Sequence, residues 1–353
     1  MKTVARIVLA PGMILGEDVY TNSGEKLYSQ GTKLDSRAIE RIARYNIMAV
    51  TVMEDIDFAK THTERVKLSD SFKSFKKTYY ECVLEFRNII DAMVTRKTPP
   101  PMDKLMGIYL KLASGCKTGE ILLDYLVNIP ADIDNMVYEH MLNSALIASV
   151  FATWMGMSKV EMFTLIQCGF LYDVGKFRLP MELLYKPSKL TDFEFETIKT
   201  HTLLGHDLIV ECGLNQAIAK AALMHHEKVD GSGYPSKLKL EKIDSYAQYI
   251  AIIDAYEAMS APKTYRHPLN PFEIIANFEK DGFTKYDTDK LNNILFHIAQ
   301  TQMGLTAKLN DGREGDILLI NSTKISRPLL KAADGALIDL SAEPSSVKIV
   351  ALY

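Results

Sequence analysis

The densest chemistry in this chain lies in one string, His225-His226-Glu227-Lys228-Val229-Asp230-Gly231-Ser232-Gly233-Tyr234-Pro235. Adjacent imidazoles with nearby carboxylates cannot be buried cheaply unless a metal or hydrogen-bond partners satisfy them. The glycines and Tyr234-Pro235 make an irregular loop, so a metal site is the natural reading. Other ligand types stand where a helical metal site would need them. His140 precedes a long apolar run, His201 precedes Leu203-Leu204-Gly205, and Asp173 lies in Leu171-Tyr172-Asp173-Val174-Gly175-Lys176. Asp254 interrupts the apolar run Ile250 to Tyr256. A carboxylate in such a run faces the core unless something neutralises it, and a divalent cation does so well. Asp230 and Glu227 have ligand chemistry too, but the Gly231-Ser232-Gly233 turn needs local hydrogen bonds, which favours loop stabilisation for Asp230. His62, His206, His267 and His297 fit no such pattern, and Lys228 reads as exposed.

The elements that must position these residues are predominantly helical. From Met136 to about Ala299 the pattern predicts helices joined by short polar turns. Met141 to Gly156 is free of charge and about one membrane span long at best, yet Asn143, Ser144, Ser149 and Thr153 mark it as a buried core helix. Upstream, Leu68, Phe72, Phe75, Tyr79, Val83, Phe86, Ile90 and Met93 predict a single amphipathic helix from Val66 to Met93. Pro99-Pro100-Pro101 stops it, and helical periodicity resumes from Asp103 to Val127. Residues 1–60 alternate short apolar runs with turns around a helical segment at Ser36 to Tyr45, predicting a small α+β module. Residues 61–128 read as a helical linker, 129–300 as the metal-bearing domain, and 301–353 as a β-rich extension with a turn at Asn310-Asp311-Gly312. The expected fold is therefore mainly α, a helical bundle with small strand-bearing ends.

Composition narrows the partners. With 353 residues, 47% of them hydrophobic, the chain can bury a sizeable core, and a net charge of −3 leaves no electrostatic footprint for a nucleic-acid duplex. Cys82, Cys116, Cys168 and Cys212 lie far apart without a Cys-x-x-Cys pair, which argues against a disulfide framework or a thiolate zinc site and suits a reducing compartment. The N-terminus lacks a signal-peptide pattern. A cytoplasmic protein without membrane contact is the expectation.

The 225–235 string, together with Lys186-Pro187, Leu190-Thr191, His201 and Gly205, and Tyr265-Arg266 downstream of Asp254, resembles the HD-GYP family of HD phosphohydrolases from about Ile129 to Ala299. The resemblance implies an HD-type helical bundle that hydrolyses cyclic di-GMP to pGpG and onward to GMP. It implies His140, Asp173, His201, His225, His226 and Asp254 as metal ligands. Asp173 would bridge two divalent ions, iron or manganese by preference, with His201 and His225 at one and His140 and Asp254 at the other. Asp173 and Lys176 would serve catalysis, while Lys176, Tyr234, Lys263 and Arg266 would hold substrate. A metal pair of this kind supplies an activated water near neutral pH. Diguanylate cyclase (GGDEF) proteins and a second copy of the chain are the protein partners it suggests.

Two departures from the family pattern bear on the metals. The name-giving His-Asp pair is Tyr172-Asp173 here, so the first metal has lost an imidazole. Tyr172 either ligates through its phenol oxygen or packs and hydrogen-bonds beside a weakened or empty site. The glutamate of three-metal members is Met136, and Glu139 lies about 100° around the helix from His140, so three metals are not expected. The alternative function is a receptor for cyclic di-GMP, or a module that meets a diguanylate cyclase, without turnover.

Overall fold

The computed structural model describes residues 1–21, 23–186, 188–262 and 268–353. Its chain divides into two units, Met1–Asp70 and Ser71–Tyr353. The first holds β1 (Lys2–Ala5), β2 (Val19–Tyr20), β3 (Lys26–Tyr28), α1 (Ser36–Arg44), β4 (Ala49–Val52) and α2 (His62–Leu68). β1 pairs antiparallel with β4, and β2 with β3. Asp35 caps α1 by accepting from the Ala38 N–H at 2.7 Å, which satisfies a donor the helix cannot use internally. Ala38 and Ile42 then pack on Leu15, Val19, Leu34, Val50 and Val52. This is the small α+β unit expected.

The helix anticipated from Val66 to Met93 is broken. Ser69 is extended at φ −65° and ψ 141°, and its hydroxyl donates to the Val66 carbonyl at 2.8 Å. Serine offers the backbone this non-helical alternative, so α2 ends and α3 (Asp70–Arg96) starts afresh. The buried face of α3 does carry Phe72, Phe75, Tyr79, Val83, Phe86, Ile90 and Met93. The 103–127 segment is also two helices, α4 (Met102–Ala113) and α5 (Gly119–Leu126), with Thr118 capping the second.

Next come α6 (Met136–Trp154), α7 (Lys159–Leu171), α8 (Met181–Leu184), α9 (Asp192–Lys199), α10 (His201–Glu211), α11 (Gln216–Met224), α12 (Ser245–Ser260), α13 (Pro271–Lys285) and α14 (Thr288–Gln300). α6 is buried on nearly every side and accordingly central, with Ala145, Leu146 and Phe151 fully buried. Two glycines set how closely its neighbours approach the site. A Cβ on Gly169 of α7 would stand 2.6 Å from the Ala145 Cα, and one on Gly175 would stand 2.0 Å from the His201 carbonyl oxygen. Bare backbone at the first brings the end of α7 onto α6. At the second it lays the 3₁₀ turn Val174–Arg178 against α10.

After α14 the chain forms β5 (Thr306–Leu309), β6 (Glu314–Leu319), β7 (Leu329–Lys331), β8 (Leu337–Asp339) and β9 (Ile349–Leu352), an antiparallel sheet in the order β8-β7-β6-β5-β9. The Asn310–Gly312 turn joins β5 to β6, with the Leu309 N–H donating to the Arg313 carbonyl at 2.8 Å. Arg327 gathers the far loops by donating to the carbonyls of Leu340, Glu343, Pro344 and Val347. Ser326 N–H to Glu279 at 3.2 Å and Asn270 Nδ2 to the Ile349 carbonyl at 3.2 Å tie this sheet to α13 and its cap. No helix among the described residues is long and apolar enough to cross a membrane.

Candidate functional site

Asp173 follows the end of α7 and is fully buried. His140 comes from the first turns of α6, His201 from the start of α10, His225 and His226 from the end of α11, and Asp254 from α12. The fold brings all six together as two clusters, His201 with His225 and His226, and His140 with Asp173 and Asp254, the potential ligand atoms in each lying within 4.8 Å of one another.

In the first cluster both buried imidazoles use Nδ1 on backbone carbonyls. His201 Nδ1 lies 2.7 Å from the Ile198 oxygen, and His225 Nδ1 lies 2.9 Å from that of Ala222. A carbonyl only accepts, so each Nδ1 carries the hydrogen and each Nε2 presents a lone pair in the neutral ring. Those Nε2 atoms face each other at 3.2 Å, and Asp173 Oδ1 stands 3.3 Å from one and 3.6 Å from the other. Among the described residues Asp173 Oδ1 has no hydrogen-bond partner. Burial pushes the pKa of His201 down to about 4, which keeps its ring neutral at pH 7. Three buried acceptors thus converge with no donor between them, and a divalent cation satisfies all three at once. The group fits a divalent metal in chemistry and in the backbone carbonyls that orient its imidazoles.

The second cluster is a closed hydrogen-bond network. His140 Nδ1 meets Glu257 Oε2 at 2.6 Å, and its Nε2 meets the Tyr172 hydroxyl at 2.6 Å and Asp254 Oδ1 at 3.0 Å. Tyr172 also donates toward Asp254 at 3.2 Å and lies 3.1 Å from the Ser144 hydroxyl. Asn143 donates to Glu257 at 3.0 Å, and Tyr79 to Asn143 at 2.7 Å. Lys176 donates to Asp173 Oδ2. Burial opposes a charge on His140, but Glu257, Asp173 and Asp254 outweigh it and hold its pKa well above the ordinary value. Burial and the neighbouring carboxylates keep the Tyr172 phenol protonated, its pKa well above the usual range. Burial likewise opposes ionisation of Asp173, yet Lys176 and the imidazoles hold its carboxyl well below that of a free aspartate.

His226 stacks on Tyr234, ring centroids 4.7 Å apart, and Lys199 lies over the Tyr234 ring at 5.4 Å. Lys263 and Arg266, expected to hold phosphates, and Tyr265 and Pro187 of the family pattern lie outside the described residues. Asp230 accepts from the Ser232 N–H and hydroxyl at 2.8 and 2.6 Å, the loop role anticipated. Glu227 is occupied by the N–H groups of Ser236 and Leu238. His206 pairs with Asp207, and His297 stacks on Trp154, both apart from the clusters. Glu139 turns away from His140, accepting from the Asp132 N–H at 3.3 Å. Lys228 is half-buried rather than exposed: its ammonium donates to the Tyr286 hydroxyl at 3.2 Å and lies over that ring. Sequence reasoning missed Glu257, Asn143, Ser144 and Tyr79. Glu257 was within reach of it, because three residues after Asp254 in an apolar helix is the same face one turn on.

Residues 127–289 match the family model described as HD domain. The cyclic di-GMP phosphodiesterase PdeB of Borreliella burgdorferi is 27% identical over 213 residues, 60% of this chain and 56% of that protein. A cyclic di-GMP phosphodiesterase of Pseudomonas aeruginosa is 30% identical over 165 residues, 46% of this chain and 39% of that one. Another, from Thermotoga maritima, is 34% identical over 137 residues, 38% and 37% of the two chains. The chain thus spans between 37% and 56% of the length of these relatives. The helical segment around Asp173 is an HD domain. Within that class, it is similar to the cyclic di-GMP phosphodiesterases just named, and Tyr172 stands directly before Asp173.

Proposed function

We propose that the chain is a metal-dependent phosphodiesterase that opens cyclic di-GMP to pGpG, with residues 129–300 as its catalytic part. The observation that carries this is the donor-free convergence of His201, His225 and Asp173 beside the Gly233-Tyr234-Pro235 turn. A divalent ion held there, iron or manganese by the chemistry of imidazole and carboxylate, would polarise a phosphate oxygen and lower the pKa of water. The chain's own residues do the rest. Asp173 balances the ion's charge from a fully buried position. Lys176, oriented by its bond to Asp173, places a fixed positive charge where phosphate oxygens gain negative charge during transfer. Tyr234, seated on His226, forms a flat wall suited to the guanine face. Lys228, with no carboxylate bonded to its ammonium among the described residues, offers a second cation to the other phosphate, alongside Lys263 and Arg266. Water adds hydroxyl to phosphorus as the phosphorus–O3′ bond breaks, and its proton passes to the leaving oxygen.

A second reading, a cyclic di-GMP receptor or diguanylate cyclase partner without turnover, is favoured by Tyr172, which closes one of the two clusters. Hydrolysis of cyclic di-GMP by the full chain with Mn²⁺ in excess, followed by chromatography of pGpG, decides between them. Turnover is expected, and tight binding without product would select the receptor. Lys228→Met should raise KM about tenfold while leaving kcat within about twofold, whereas exposed Lys280→Met changes neither. Equal KM values in the two variants would remove Lys228 from the substrate wall.

A further inference from the structure

The two clusters differ in their donor–acceptor balance. Ligands of one ion at about 2.0–2.2 Å stand about 2.8–3.1 Å from one another in an octahedral arrangement and about 3.3–3.6 Å in a tetrahedral one. His201 Nε2, His225 Nε2 and Asp173 Oδ1 are separated by 3.2, 3.3 and 3.6 Å, close to that spacing, and none of the three carries a hydrogen toward the others. Around His140 the carboxylates stand at comparable spacing, Asp254 Oδ1 3.0 Å and Asp173 Oδ2 3.4 Å from Nε2, and what differs is a third group set among them. The Tyr172 oxygen lies 2.6 Å from His140 Nε2, too short for two ligands of one ion. Donors alternate with acceptors there: Tyr172 reaches His140 and Asp254, Lys176 reaches Asp173 Oδ2, and His140 itself lies between Glu257 and Asp254. The Tyr172 hydroxyl and the Lys176 ammonium thus stand in the space from which His140, Asp254 and Asp173 Oδ2 would reach an ion. Tyrosine reaches this point because its phenol oxygen lies beyond the distance an imidazole nitrogen attains. From the end of α7 it crosses to Ser144 and His140 on α6.

We propose that this chain holds a single divalent ion, on His201, His225 and Asp173 with His226 beside them, and that the Tyr172 hydroxyl and the Lys176 ammonium take the place of a second ion between His140 and Asp254. This deepens the phosphodiesterase reading by fixing how many ions serve it. It differs from the two-ion arrangement that the family resemblance implies. His140 and Asp254 become hydrogen-bonding partners that position Tyr172 and Lys176 rather than ligands.

The test counts ions without measuring turnover. The full chain and its variants are stripped with EDTA, dialysed against Mn²⁺ and assayed by elemental analysis and electron paramagnetic resonance, with circular dichroism confirming that each variant is folded. Wild type should bind one Mn²⁺ per chain with the signal of an isolated ion. Tyr172→Phe, which keeps the ring, should also bind one. His225→Gln should lose it, with affinity falling at least about a hundredfold given that even outer-shell partners are worth about 10–100-fold. Tyr172→His should bind two and show an exchange-coupled signal. Two coupled ions in wild type, one ion retained in His225→Gln, or a single ion in Tyr172→His would each overturn the proposal. Failure of the phosphodiesterase reading looks different, namely one bound ion and no hydrolysis.

Discussion

The His201–His225 cluster and the His140–Asp254 cluster share a carboxylate, use the same residue types and lie on neighbouring helices, yet they pose opposite electrostatic problems. In the first, backbone carbonyls take both Nδ1 hydrogens and leave the Nε2 lone pairs facing an unpartnered carboxylate oxygen. In the second, a carboxylate, Glu257, takes Nδ1, and a phenol and a carboxylate surround Nε2. The comparison teaches that ligand identity does not make a metal site. What makes one is the number of donors left in the space between the ligands, because Glu257 orients His140 through Nδ1 just as backbone carbonyls orient His201 and His225.

The largest expected effect comes from breaking the geometry of the first cluster without touching a ligand. In Gly175→Ala the new methyl would meet the His201 carbonyl oxygen and the Gly205 N–H at 2.0 and 2.5 Å, so the turn carrying Asp173 and Lys176 must lift from α10. A displacement of about 1 Å at a reacting centre costs on the order of a hundredfold in rate. Cyclic di-GMP hydrolysis should fall by about that factor, and a rate within about threefold of wild type would mean that the close approach at Gly175 does not set the site.

A stability comparison sharpens the contrast between the clusters. Without metal, Tyr172→Phe removes a hydroxyl that serves His140 and Asp254, and leaving such buried groups short of a partner costs about 1–3 kcal/mol. His225→Gln instead relieves a surplus of acceptors, because an amide N–H enters their midst, and its melting temperature in EDTA should match or exceed wild type. With Mn²⁺ at about a hundred times its Kd, wild type and Tyr172→Phe should both gain about 2.7 kcal/mol, and His225→Gln should gain nothing. If urea melts show His225→Gln destabilised in EDTA as much as Tyr172→Phe, the acceptor-surplus picture of the first cluster is wrong.

The parts of this site legible in the sequence are those whose meaning is local. The 225–235 string declares its loop, and the interrupted apolar run around Asp254 declares a charge facing the core. The helical class and the β-rich end were readable from periodicity and turn residues. The break at Ser69 was not, since the apolar stripe runs on across it while the serine hydroxyl turns back to the Val66 carbonyl. Glu257 and Ser144 escaped because their roles depend on where His140 and Tyr172 point across three helices, which spacing along one helix does not reveal. Lys228 was misread as exposed for the same reason: what half-buries it is Tyr286, 58 residues away in sequence.

The smallest effect tests whether a bare buried oxygen always calls for a cation. Among the described residues two buried side-chain atoms lack a hydrogen-bond partner, Asp173 Oδ1 and Glu139 Oε1. The first faces imidazole lone pairs and the ammonium of Lys176 holds its carboxylate ionised. Glu139 has no such cation among the described residues, and burial, reinforced by Asp132 and Glu257, raises its pKa from 4.5 to about 7. A proton is the remedy there. The folded state therefore binds that proton more tightly than the unfolded chain does, so Glu139's contribution to stability is intact below pH 4.5 and is lost as the pH rises through about 7. Glutamine keeps an oxygen for the Asp132 N–H and cannot ionise. Glu139→Gln should thus match wild type at pH 4.5 and exceed it by about 1–2 kcal/mol at pH 8, taking about 1.4 kcal/mol per pKa unit and discounting for relaxation. Urea melts at the two pH values measure the difference. An advantage for Glu139→Gln equal at both would show that the carboxyl does not change its protonation with folding, and the contrast between the two unpartnered oxygens would fail.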